Sequence, residues 1–248
     1  MIRPAGRINR AKPSLRTPII LLALILGGCA RLVPSTDLPL SKMSFQISVL
    51  ARSGSEAEVW VSIRPGRRMA FRTQRVEMVG GDRLVAEVDG KSYELKAMSE
   101  PNHPLGYGVK VSTATPEARV RILLMRLSQP VVPIATGTLP PPFELAELPR
   151  SPSASRPLEV RWAPVSSEPM EIDVKGSCLS RTTIWLREDP GHAVVEAGLL
   201  RPPVFKWDDC QVDLTVARAG EGRPERGLHP GSGLLIRQVR TARLEPVR

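Results

Sequence analysis

Proline spacing and the shortness of the apolar runs constrain this chain most. Its 248 residues include 25 prolines, about twice the usual share. Proline removes a backbone donor and clashes with the preceding helical turn, so breakers at this density leave no room for long helices. After residue 30 no apolar pattern with a 3.6-residue period is sustained. What remains is a series of short alternating runs, each with one apolar face. MSFQISVL (43–50), AEVWVSI (57–63), QRVEMV (74–79), RLVAEV (83–88), KSYELKA (91–97), YGVKV (107–111) and ARVRILLMRL (118–127) predict seven strands. Gly80-Gly81-Asp82 and Asp89-Gly90 are turn signals, the second suited to a tight hairpin. Strands at this spacing predict a β-sandwich, with an open barrel of the same strand count as the alternative.

From Ser128 the texture changes. Pro130, Pro133 and Pro140–Pro142 favour extended polyproline geometry and predict a stiff joint. A second series follows: FELAEL (143–148), LEVRWAP (158–164), MEIDVKG (170–176), RTTIWLR (181–187), HAVVEAG (192–198), CQVDLTVARA (210–219) and GLLIRQVRTARL (233–244). Leu158, Val160 and Trp162 share one face, so Trp162 is expected in a core. Within this series TLPPPFELAEL…LEVRWAP resembles the opening of fibronectin type III domains, a proline-led first strand before a second strand ending in tryptophan and proline. Strand number and spacing in the first half suit an immunoglobulin-type sandwich.

The amino end carries Arg3, Arg7, Arg10, Lys12 and Arg16 without an acid, then the uncharged stretch TPIILLALILGG (17–28). A basic region followed by a short apolar one is the layout of a secretory signal peptide. The stretch is too short for a spanning helix of about 20 residues. Leu26-Gly27-Gly28-Cys29 resembles the lipobox of bacterial lipoproteins. That resemblance implies cleavage before Cys29, acylation of its sulfur and new amino group, and anchoring by two or three acyl chains. Ala30 rather than aspartate after the cysteine implies the outer membrane, and the protein is expected to face the periplasm. The expected chain is therefore all-β, with two immunoglobulin/fibronectin-III-like sandwiches in tandem after a lipoprotein signal peptide. Its parts are a cleaved leader 1-28, a tether 29-40, an N-terminal sandwich 41-128, a Pro-rich linker 129-142 and a C-terminal sandwich 143-248.

Removing residues 1–28 takes away five basic residues and no acid, so the net charge falls from +10 to +5 on 220 residues. This mild balance, in an exported protein, argues against a nucleic-acid partner. In the strand order that the fibronectin resemblance implies, MEIDVKG and CQVDLTVARA are antiparallel neighbours. That order brings Cys178 and Cys210 to one end of the sheet, within disulfide reach in an oxidising compartment. The bridge would contribute about 3–4 kcal/mol by loop closure. Three histidines, His103, His192 and His229, sit among glycine and proline without metal spacing. No nucleophile elbow is present, so no catalytic, cofactor or metal residue is assigned and the protein is read as a non-enzyme. One basic feature stands out. Arg64, Arg67, Arg68, Arg72 and Arg75 crowd RPGRRMAFRTQR and are candidates for gripping an anionic envelope glycan. The preferred reading is a lipid-anchored interaction or structural module that meets an envelope protein. Its oligomeric state is left open.

Overall fold

The computed structural model describes residues 32–52, 55–66, 74–100, 103–113, 117–127, 129–149, 156–177, 179–200 and 211–245. The described residues form β1 (Leu32–Pro34), β2 (Met43–Ala51), β3 (Glu56–Pro65), β4 (Arg75–Glu77), β5 (Arg83–Val88) and β6 (Lys91–Glu94). β7 (Lys96–Glu100), β8 (His103–Ser112), β9 (Arg119–Arg126), β10 (Gln129–Thr138), β11 (Glu144–Leu145) and β12 (Leu158–Ala163) follow. β13 (Met170–Gly176), β14 (Thr182–Leu186), β15 (His192–Val195), β16 (Val212–Ala219), β17 (Gly222–Pro224) and β18 (Gly233–Leu244) complete the chain. Single 3-10 turns at Ser35–Asp37, Leu40–Lys42 and Ala197–Leu200 are the helical pieces among the described residues.

The chain is all-β and builds two sandwiches, each around its own core. Alternation in sequence becomes alternation in space: Phe45, Ile47 and Val49 of β2 and Val59, Val61 and Ile63 of β3 are buried, while Gln46, Ser48 and Trp60 take the opposite face. That buried face meets Leu84 and Ala86 of β5, Ile122 and Leu124 of β9 and Ile134 of β10 in the first core. The second core joins Val160 and Trp162 of β12 and Val195 of β15 to Ile172, Val174, Leu214, Val216 and Leu244. Its sheets run β11-β12-β15 and β14-β13-β16-β18, a seven-stranded sandwich of the immunoglobulin and fibronectin type III kind. β13 and β16 are antiparallel neighbours, as the fibronectin resemblance implies. The β5–β6 hairpin turns at Asp89 (φ 49°) and Gly90 (φ 80°), the left-handed pair that a two-residue hairpin needs.

Three features depart from the expected layout. Gln129–Thr138, expected in the linker, is a strand paired along its length with β9. Proline is tolerated in it because register shifts fall between Gln129 and Val132 and between Pro133 and Ala135, where ladder donors are not needed. Residues 32–40, expected in the tether, are folded onto the first sandwich, with β1 parallel to β4 and Ser35 fully buried. KSYELKA divides at the buried Leu95, β6 staying in one sheet and β7 entering the other.

The largest departure is that the two sandwiches share a sheet. Eight strands run continuously in the order β14-β13-β16-β18-β2-β3-β8-β7. The join is β18, antiparallel to β16 from Ala219↔Arg237 to Val212↔Leu244 and parallel to β2 from Gly233↔Gln46 to Gln238↔Ala51. The residues between β16 and β18 reach into the first sandwich. There β17 adds to β10, and Leu234 and Ile236 enter the first core. Glycines permit the crossing: a methyl on Gly137 would strike Ile236, and one on Gly222 would sit 3.1 Å from the Gly137 Cα. Along the inward face of β18, Leu234 and Ile236 serve one core and Leu244 the other, with Gln238 and Arg240 between them.

Candidate functional site

Of the residues singled out in sequence, Cys29, Cys178, Cys210, Arg67, Arg68 and Arg72 lie outside the described residues. Arg64 is exposed at the end of β3. Arg75 is 5% exposed at the start of β4, and its Nη1 donates to the Gln74 carbonyl at 3.0 Å. Burial lowers its pKa, and the nearby charge of Arg64 lowers it further. Arg75 thus corrects the expected surface cluster: it is an interior residue of the β1–β4 pair and adds field rather than a free grip. Leu32, Val33, Pro34, Leu38, Pro65 and Gln74 line a shallow recess of about 330 Å³ beside it. The β17–β18 tip closes over the same end. Ser44 Oγ donates to the Gly231 carbonyl at 2.8 Å, the Phe45 amide donates to Ser232 Oγ at 3.1 Å, and the His229 ring lies against Gly66.

The outer face of the shared sheet has a different character. A groove of about 310 Å³ crosses β13, β16, β18 and β2, with Arg52, Glu171, Asp173, Lys175, Arg181 and Arg237 among its walls. Its charges are largely paired: Arg181 with Asp173 at 2.8 Å, and Arg237 with Glu171. The hydrogen bond to Asp173, and then its charge, raise the Arg181 pKa. Arg243 pairs with Asp213 at 3.3 Å and Arg240 with Glu144 at 3.1 Å, so the basic residues of β18 are not a free anion-binding row. Trp185, on the edge strand β14, is 65% exposed with the Arg237 guanidinium 5.8 Å from its ring centre. Farther along the sheet the Trp60 indole lies over Gly106 and Gly108 of β8, which have no side chain to hold it away.

A buried polar centre organises the second sandwich, and sequence reasoning missed it. The Asp189–Arg218 pair (2.6 Å) has no side-chain exposure on either partner. Asp189 also accepts from Trp162 Nε1 at 2.6 Å, the Gly191 amide at 3.0 Å and the Ser166 amide at 3.1 Å. Burial alone would raise the Asp189 pKa. Hydrogen bonds from Trp162, Gly191 and Arg218, with the charge of Arg218, outweigh it and hold the carboxyl below its ordinary value. Arg218 donates further to the carbonyls of Pro141 (2.9 Å) and Pro164 (2.6 Å). Its guanidinium lies 5.0 Å from the Phe143 ring centre, and that of Arg240 5.3 Å from the same ring. These contacts of Arg218 fix Pro141–Phe143 in place at the junction. The only signal in sequence was the arginine of VARA, an inward position on an otherwise apolar face.

His192 is exposed with Nδ1 3.2 Å from the Pro190 carbonyl. Among the described residues no three His, Cys, Asp or Glu side chains group closely enough to hold a metal ion.

The sequence matches no family model and no curated protein. Among solved structures it is similar to a 1.5-MDa bacterial ice-binding adhesin (8% identity, 83% of this chain, TM-score 0.22). It is also similar to DIP-gamma IG1+IG2 (8%, 79%, 0.24) and to the FN1–FN3 domains of chicken CNTN1 (10%, 79%, 0.21). The chain spans 64% of the adhesin chain, 97% of the DIP-gamma chain and 65% of the CNTN1 chain. At these scores the fold rests on this chain's own sheets and cores.

Proposed function

We propose that this protein is a non-enzymatic interaction module of the bacterial cell envelope, anchored in the outer membrane through acylated Cys29 and facing the periplasm. The observation that carries the interaction role is the outer face of the shared sheet. Two sandwiches are locked into one hydrogen-bonded surface, and that surface offers an exposed tryptophan at its edge beside a groove of paired charge. Rigid presentation lowers the ordering cost of binding another protein. The lipobox and the basic leader support the anchor.

A Cys178–Cys210 bridge belongs to the same proposal. Gly176 pairs with Val212, and the Ser177 amide donates to the Gln211 carbonyl at 3.2 Å. The described residues flanking the two cysteines are thus cross-strand neighbours.

Photocrosslinking in intact envelopes tests the interaction role. A photoreactive residue replacing Trp185 should capture a discrete protein, and one replacing Val165, also exposed on the second sandwich, should not. Equal capture from both positions, or none from either, removes the basis for the reading. Incorporation of an acyl analogue into wild type and not into Cys29→Ser tests the anchor separately.

A further inference from the structure

The shared sheet ends at β14, and its outer edge is open. Among the described residues β14 pairs with β13 alone. The neighbouring ladder shows which backbone groups this leaves free. The Ala219 amide donates to the Pro169 carbonyl at 3.0 Å, and the Ser177 amide to the Gln211 carbonyl at 3.2 Å. Both bonds fall on the β13–β16 register. Odd-numbered residues of β13 therefore turn their backbone groups to β16, and even-numbered ones turn theirs to β14. Met170, Ile172 and Val174 face Leu186, Ile184 and Thr182. Those three residues of β14 bond to β13, so Thr183 and Trp185 point their N–H and C=O groups outward.

Other edges are blunted. β7 carries Lys96 and a register shift between Met98 and Glu100, β17 ends in Pro224, and β11 is two residues behind Pro140–Pro142. β6 and β15 have four residues each. β14 reads TTIWL, five residues with no proline, lysine or register shift. Its first three are β-branched, and Trp185 stands 65% exposed upon it. Natural sheets normally defend such an edge, so an open one marks a place for pairing.

A second copy is a poor occupant. Antiparallel self-pairing centred on Ile184 sets Arg181 of each copy opposite Arg187 of the other, and like charges directly opposed are destabilising. Both arginines are exposed. Asp173 accepts from Arg181 Nε at 2.8 Å, which leaves the terminal nitrogens of that guanidinium to an incoming acid. Among the described residues Arg187 forms no ion pair, and neither does the exposed Glu188 beside it.

We propose that β14 receives an extended segment of a different protein as an added antiparallel strand, with an acidic residue at each end of that segment facing Arg181 and Arg187. Antiparallel addition lets Thr183 and Trp185 each exchange both backbone bonds with one partner residue. The proposal rests on the interaction role and deepens it, assigning recognition to the edge backbone with Trp185 alongside.

The test uses residues 29–248 with Cys29→Ser, so no acyl chain takes part. The probe is the peptide Glu-Val-Thr-Val-Thr-Val-Glu, blocked at both ends, whose threonines fall opposite Thr183 and Trp185. Amide exchange at Thr183 and Trp185 should be fast in the free protein and slow on binding, with Ile184 slow throughout. Methylating the two threonine nitrogens of the peptide should cost at least about tenfold in affinity, and methylating its valine nitrogens should not. Lysine in place of both glutamates should weaken binding severalfold at low salt. Thr183→Pro removes an outward N–H without touching the β13 ladder, so it should keep the thermal transition and lose binding. Thr183→Ala should keep both. Should Thr183→Pro disturb folding, the methylated peptides on the unaltered edge decide alone. No binding at millimolar peptide, equal binding of the threonine-methylated peptide, or slowing at β7 or β15 instead would overturn the proposal. So would dimerisation through β14 without peptide. Capture of one envelope protein by a photoreactive residue at 185, with or without Thr183→Pro, would overturn strand addition and leave the interaction role standing. No capture in envelopes, with the peptide result intact, would remove the envelope partner and leave β14 a strand acceptor.

Discussion

The two sandwiches differ in how complete each is within its own stretch of chain. Every strand of the second, β11 to β16 and β18, lies after residue 143, and its core draws on nothing before Phe143. The first borrows: β17 edges one of its sheets, β18 covers the open side of β2, and Ile236 fills its core. The second has a fully buried ion pair at its centre, whereas in the first the nearly buried Arg126–Asp82 pair stands beside an apolar core. A boundary drawn in sequence is therefore not a boundary in folding, because one unit is closed and the other is completed from outside.

Cutting the chain is the strongest way to break this comparison. Residues 139–248 should unfold in one cooperative thermal transition, whereas 29–138, lacking β17 and β18, should show none. Two independent transitions from the two fragments would make the borrowed hairpin dispensable. Next in size, Arg218→Ala leaves the Asp189 carboxylate buried without its cation and should cost about 3–5 kcal/mol in denaturant unfolding. Acid titration examines the same pair. The Asp189 pKa is lowered from 3.8 on folding, so its contribution is present above that value and is lost as pH falls through the folded pKa. Asp189→Asn should flatten this part of the stability curve.

Ile236→Ala removes a buried side chain that the second half contributes to the first and should cost about 2–4 kcal/mol. The loss should be accompanied by faster amide exchange in β2 and β10, with β12 and β13 unchanged. The smallest effect concerns a turn local to the first sandwich. Gly90→Ala, at φ 80°, should cost about 1 kcal/mol without altering exchange in the second.

Local features were legible in the sequence because they are set by near neighbours. Period-two alternation marks nearly every strand longer than four residues, Asp89-Gly90 marks its hairpin, and the proline after Trp162 accompanies the strand that places that ring in a core. Phe143 and Leu145 do dock with β12 at the edge, as the proline-led opening implied. What escaped depends on distant partners. β10 reads as linker because Pro130 and Pro133 look like breakers until β9 supplies a ladder with bulges to receive them. The β18–β2 pairing joins residues about 187 apart, such as Gly233 and Gln46, and no local pattern reports it. In hindsight Gly137, Gly220 and Gly222 hint at close backbone approach, yet in sequence they read as turn residues. The lone Arg218 could have been flagged as a charge on an apolar face, but its partner Asp189 lies in the loop between β14 and β15 and nothing in the spacing connects them.

The parallel seam between β18 and β2 has a consequence in time. A ribosome delivers the chain from its amino end, so β2 emerges long before the strand that covers it. Until residues 233–238 arrive, β2 presents an unpaired edge and the first core lacks Ile236, a state open to pairing with other chains. Non-local closure of this kind is also slow. The nascent protein therefore depends on whatever shields an open edge until synthesis is complete, and truncation near the carboxyl end strikes hardest at the domain synthesised first.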